Sequence, residues 1–189
     1  MSSVLLTAPA VEPLSLAETK TFLRVEHGDD DAVIAALIAG ARIHVETQTR
    51  RALITQSWRR SLDCWPHNGR IDVRPAPLQT LDAARVYDPE GVAHDVDLQA
   101  FVLDSVNSLL AFAPWALPEP GRIAAGIALD VTVGYGDAAA DVPEPLRLAV
   151  RILVSHWYEN RGLVTTGPNF SPLPETVAAL LSPYRMVAL

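Results

Sequence analysis

Residues 143–162, PEPLRLAVRILVSHWYENRG, constrain this chain more than any other stretch. Pro143 and Pro145 suit the first turn of a helix, where a missing N–H removes no hydrogen bond, and Glu144 sits where the positive helix end favours a carboxylate. Leu146, Ala149, Val150, Leu153, Val154 and Trp157 recur at helical spacing along one broad face. Leu148 and Ile152 add a second apolar stripe beyond Arg147, Arg151 and Ser155, and Gly162 supplies a left-handed stop. Such a helix has too much apolar surface for an outer layer. It is either the spine of the core or packed between its own domain and a partner.

A chain of 189 residues, 49% of them hydrophobic, buries a real core as one domain or as one domain with an elaborate insertion. No uninterrupted run of about 18 apolar residues occurs, so no membrane-spanning helix is expected. The start, MSSVLLTAPAVEP, lacks the basic flank of a secretory signal, and its apolar run is too short for one. Cys64 is the only cysteine, which excludes an internal disulfide and a cysteine-based metal cluster and implies a reduced, intracellular setting. The net charge of −7 is uneven: residues 53–142 carry twelve acids against six arginines, a net of −6. Residues 1–52 come to −2 and residues 143–189 to +1. An acidic middle argues against gripping nucleic acid by its phosphates, which needs clustered Lys and Arg. It leaves room for DNA to pass nearby.

Taken in order, residues 1–13 read as an extended arm. Ser15 and Glu18 form a capping box that starts a short helix to about Val25. Gly28 breaks it, and Asp29, Asp30 and Asp31 offer an N-cap for a second helix to about Arg51, with Ile34, Leu37, Ile38, Ala41 and Val45 on one face. The period then changes. Residues 53–63 alternate as a strand, Ile71–Arg74 and Leu81–Tyr87 follow, and Asp88-Pro89-Glu90-Gly91 is a turn. Val92–Leu98, Ala100–Asp104 and Leu109–Phe112 are further strand candidates, residues 113–122 form a loop, and Ile127–Tyr135 alternates again. This order predicts an α+β fold: a small helical bundle of two N-terminal helices and the long C-terminal helix, with a β-rich insertion and a tail. The boundaries are an arm and helices at 1–52, the insertion at 53–142, the long helix at 143–162 and a C-terminal docking segment at 163–189, all in one domain.

Little in the sequence suggests chemistry. His27, His44, His67, His94 and His156 are scattered, none with a second ligand at metal spacing, so no metal site is expected. No P-loop, dinucleotide fingerprint or nucleophile elbow is present, and no cofactor is expected. Gly134-Tyr135-Gly136-Asp137 reads as a strand end, and Asp95, Asp97 and Asp104 as a solvated face. A helix-turn-helix built on the first two helices would aim Asp29, Asp30 and Asp31 at the phosphates, which repel them. What remains is interaction. Trp58, Trp65, Trp115, Trp157, Tyr184 and Arg185 are the residue types that anchor interfaces, although Trp58 and Trp157 read first as core. Leu173, Val177, Leu180, Leu181 and Tyr184 form one stripe on a segment too short to be stable alone. Such a piece either folds back or docks in a neighbour's groove.

The segments PLSLAETKTFLRV, DDDAVIAALIAGARIHVETQTRRALITQSW, LDCWP, VTVGYGDAAADVPEPLRLAVRILVSHWYENRG and LPETVAALLSPYR, in this order, resemble the head–tail connector (adaptor) proteins of tailed phages. Similar proteins occur in prophages and phage-like gene transfer agents. The resemblance spans nearly the whole chain and is thinnest over residues 88–125. It implies a non-enzymatic protein, made in the bacterial cytoplasm, that forms a homo-oligomeric ring, usually of twelve subunits, beneath the portal protein at the head–tail junction of a virion or phage-like particle. The ring would extend the DNA channel, without specific DNA binding, and meet a downstream neck or tail-terminator protein. No catalytic residues are carried over. By analogy it assigns portal docking to Leu173, Val177, Leu180, Leu181, Tyr184 and Arg185. The docking reading expects that removing residues 172–189 leaves folding nearly unchanged. The reading from a different class is a small hydrolase or ligand-binding protein that uses His156, Glu159 and a carboxylate of the β region.

Overall fold

The computed structural model describes residues 2–160 and 175–186. They make a mixed α+β chain with two antiparallel sheets, and fall into two compact units. One unit draws on Met1–Ala10 with Thr55–Gly134, the other on Val11–Ile54 with Tyr135–Leu189.

The second unit is helical. Helix α1 (Leu16–Leu23) begins where Ser15 Oγ accepts the Glu18 N–H at 3.1 Å, as half of the expected capping box. The other half is absent, because the Glu18 carboxylate instead receives Arg147 and Arg151. Helix α1 stops at Arg24, before Gly28, with φ of 58°, and α2 (Asp31–Thr49) stops at Arg50 with φ of 56°. Both are left-handed caps made without glycine. Asp30 stands at the start of α2 but makes no capping bond from its side chain; it accepts the Tyr158 hydroxyl at 2.7 Å, while Asp31 pairs with Lys20 at 2.6 Å. The expected spine is α3 (Glu144–Glu159), and Gly162 lies outside the described residues. Leu146, Ala149, Val150, Leu153 and Val154 of α3 are wholly buried against Ile34, Ile38, Ala41 and Val45 of α2. Trp157 is half-buried, its ring over Gly40 and edge-on to His44 at 5.9 Å between centroids. Helix α4 (Glu175–Leu181) adds Val177 and Leu181 to the same core.

The other unit holds the sheets. Strands β1 (Ser2–Thr7), β2 (Gln56–Leu62), β4 (Leu78–Tyr87), β5 (Ala93–Asp95) and β8 (Ile127–Val133) form a sheet in the order β1-β2-β8-β4-β5. A smaller sheet has the order β3-β7-β6, from β3 (Arg70–Asp72), β6 (Phe101–Asp104) and β7 (Leu109–Phe112). Strand β8 is central, and all its residues but Thr132 are buried, so the alternation in its sequence marks pleat rather than exposure. Residues 2–7 are the main correction to the sequence reading. The arm is a strand, paired to β2 from Ser2↔Ser61 to Thr7↔Ser57 with a register shift after Leu5. Trp65, one of the residue types that the sequence offers as interface anchors, is buried with Phe101 and Phe112 at centroid distances of 5.8 and 5.2 Å, and its indole N–H donates to Pro118 O at 2.8 Å.

Candidate functional site

The C-terminal segment is the site the sequence singles out, and its stripe divides on inspection. Val177 and Leu181 are wholly buried in the helical core, and Leu180 and Tyr184 pack half-buried at its margin. Leu173 lies outside the described residues. The Tyr184 carbonyl accepts Arg51 Nε at 2.9 Å, and the Met186 N–H donates to Thr49 O at 3.3 Å, so backbone bonds join the segment's end to the end of α2. Burial pushes the nearby Tyr135 hydroxyl up, with Arg51 acting in the opposite direction. Arg185 is exposed and, among the described residues, reaches Gln48 Oε1 at 3.4 Å. Of the two arrangements the sequence leaves open, the described residues of the segment take the first and fold back on their own chain. Val177, Leu180, Leu181 and Tyr184 belong to a segment too short to hold itself, and they are held by the helices they pack on. Of the residues the sequence singles out in it, Arg185 and the open sides of Tyr184 and Leu180 face outward.

The residues considered for chemistry are tied up in local structure. Glu159 is exposed and accepts the Ser155 hydroxyl at 3.2 Å, and the His156 carbonyl accepts Asn160 Nδ2 at 2.7 Å. Asp95 pairs with Arg85 at 3.3 Å, and Asp97 accepts the Gln99 N–H at 2.9 Å. Asp104 accepts the Asn107 side chain and backbone, bonds that hold its carboxyl below the usual range. Among the described residues no group of three His, Cys, Asp or Glu side chains is placed to hold a metal ion. Nothing observed favours the hydrolase or ligand-binding reading.

Many of the cations are paired within the chain. Asp130, on β8, receives Arg59 Nε at 2.6 Å and Arg85 at 2.8 Å; the bonds from Arg59 chiefly, set against desolvation and reinforced by Arg85, hold its carboxyl below the usual carboxylate range. Arg42 is nearly buried between Glu12 and Glu46, each at 2.8 Å. Arg147 and Arg151 face Glu18 and Glu144. Arg60 donates to the Arg74 carbonyl at 2.7 Å. These side chains neutralise carboxylates or satisfy carbonyls rather than forming a basic face.

Apolar exposure is concentrated in the sheet unit. Trp115 is 89% exposed and Ile123 98%, both within residues 113–126, which join β7 to β8. The backbone there is closely supported. Gly121 donates to Tyr87 O at 2.8 Å, and a Cβ on it would lie 2.3 Å from Pro89 Cδ. Side chains of this kind, bare on a firmly held loop, have the character of contact residues.

The described residues thus combine mixed helices and sheets with bare apolar side chains of the kind that meet partners. Residues 13–87 match the phage gp6-like head-tail connector protein family. No curated protein matches the chain. Among solved structures, a chain from the neck of an empty gene transfer agent (GTA) particle, computed with C6 symmetry, is 26% identical with a TM-score of 0.83. That likeness covers 100% of this chain and 97% of the other. Chains from the virion of the native GTA particle and from its neck computed with C12 symmetry are each 25% identical, with TM-scores of 0.80 and 0.78 and the same coverage. The resemblance read from the sequence is borne out by these matches: part of the chain is similar to head–tail connector proteins, and the whole of it to neck chains of GTA particles.

Proposed function

We propose that the chain assembles into a homo-oligomeric ring, of twelve subunits, at the head–tail junction of a phage or phage-like particle, where it joins capsid to tail without catalysing a reaction. The observation that carries this is the end-to-end likeness to neck chains of GTA particles, over 100% of this chain and 97% of that one. A C12 neck among the similar structures supports the subunit count. Under this reading the helical bundle of α1, α2 and α3 is the body of the subunit and residues 53–142 its β-rich insertion. The ring sits beneath the portal protein, extends the DNA channel, and offers its other side to a downstream neck or tail-terminator protein. A net charge of −7, with arginines already committed to carboxylates and carbonyls, lets DNA pass without being held by its phosphates.

The C-terminal segment is the proposed portal contact, through Arg185, Tyr184 and Leu180. Val177 and Leu181 support it from the core, and Leu173 precedes it. An exposed guanidinium suits a carboxylate or backbone carbonyls on a partner. The test is native mass spectrometry of the purified chain beside co-sedimentation with purified portal rings. Twelve-subunit rings that sediment with the portal, with Arg185→Ala weakening attachment at unchanged melting temperature, are expected. A monomer that fails to sediment with the portal refutes the reading.

A further inference from the structure

The first charged residue of this chain is Glu12; residues 2–11 read Ser-Ser-Val-Leu-Leu-Thr-Ala-Pro-Ala-Val. Six of them form β1, at one end of the five-stranded sheet, bonded to β2 on one side only. All six are exposed, including Val4, Leu5 and Leu6 at 57, 42 and 45%. Successive strand residues point to opposite faces of a sheet. Aliphatic side chains are therefore bare on both faces, beside an outer backbone edge that has no strand partner among the described residues.

Sheets protect such edges with short strands, charges, proline or bulges that twist them away. The opposite end of this sheet follows that rule. Strand β5 has three residues and carries His94 and Asp95, which pair with Asp88 at 2.9 Å and with Arg85 at 3.3 Å. Strand β1 is twice as long and has neither a charge nor a proline, its one irregularity being the register shift after Leu5.

We propose that β1 is a subunit-joining strand: its outer edge and the side chains of Val4, Leu5 and Leu6 are covered by the neighbouring copy of this chain. This rests on the ring proposed above. A cyclic ring needs a surface, present once per subunit, that meets a different surface on the next copy, and β1 is such a surface, bare in the single chain. Charge points to the same occupant. Copies of net charge −7 repel one another, and an uncharged stretch of ten residues is where that repulsion is weakest. The neck chains similar to this one come from assemblies with C6 and C12 symmetry.

Two measurements test this. A Val4→Asp, Leu6→Asp double variant changes side chains that the single chain leaves exposed, so its melting temperature stays that of the wild type. Native mass spectrometry over a concentration series, with purified portal rings present as template, is expected to show half-assembly moved to at least about tenfold higher concentration. Hydrogen–deuterium exchange of the wild type is expected to slow at residues 4–6 by at least about tenfold on assembly. A double variant that forms rings like the wild type, with exchange at residues 4–6 unaltered by assembly, overturns the role of β1 and leaves the ring intact. A wild-type chain that stays monomeric even on portal rings overturns both. Should the double variant melt lower, the exchange measurement on unaltered protein decides alone.

Discussion

Replacing Asp130 by Asn tests whether the charged group inside the five-stranded sheet stabilises it. Asp130 stands opposite Arg59 across the β2–β8 pairing, and Arg85 reaches it diagonally from β4, whose Ala83 is the residue opposite. The carboxylate accepts two bonds from Arg59, at 2.6 and 2.8 Å, and one from Arg85 at 2.8 Å. Each bond to a charged group contributes about 1.5–3 kcal/mol in a buried setting. Here the side chains of Arg59 and Arg85 are 37% and 30% exposed and can turn to water, which cuts the loss well below the sum. We expect about 2 kcal/mol for Asp130→Asn, a fall in melting temperature of about 4–8 °C for a chain of this length.

The pH dependence has a definite sign. The folded carboxyl titrates below its unfolded value, so its contribution is fully present above the unfolded value of about 4 and is lost as pH falls through the folded one. Thermal melts of both proteins should therefore differ by a constant amount from pH 7 to about pH 5 and converge in stronger acid. In an Arg59→Met background the Asn substitution should have a smaller effect, since the main partner is gone. Equal melting at pH 7, or a gap that persists unchanged to about pH 2, refutes the reasoning.

At the centre of α3, Leu153→Ala should lower stability by about 3 kcal/mol in chemical denaturation, and Leu153→Asp should give no cooperative melt, because the side chain is wholly buried among α2 and α3. Arg50→Gly should stabilise by about 0.5–1 kcal/mol in the same assay, since glycine adopts the cap's φ of 56° freely, whereas Arg50→Ala should not. Deleting residues 175–189 should lower the melting point by several degrees, because Val177 and Leu181 each bury a side chain worth about 1.5–3 kcal/mol. An unshifted melt for that deletion would return the segment to the role of a detachable peptide.

The helices were legible because a stripe at helical spacing needs no knowledge of what lies opposite. Leu146, Val150 and Leu153 point to one face whatever they meet, and the structure buries all three. Residues 2–7 were not legible as a strand. Their apolar side chains do not alternate with polar ones, and their place beside β2 is set by pairing alone. Asp130 read as one more acid of an acidic middle, since its partners lie 71 and 45 residues earlier and only the register brings them together. The C-terminal stripe was found, but its burial depends on α2 and α3, which a local reading treats separately. The family resemblance supplied the connector role, which no single side chain announces.

The place of β8 has a consequence for synthesis. It is the last strand of its unit to leave the ribosome, yet it lies between β2 and β4, which pair with it and not with each other. Until residue 133 is made, the sheet is two separate edges without a middle. The helical unit is built the same way, since α3 supplies five of the fifteen buried residues of its described core only after that point. A polypeptide released early therefore completes neither unit, and nothing resembling a finished subunit exists to be taken up by mistake. Within the proposed ring, where one defective member would leave a gap, late completion would keep unfinished chains from being built in.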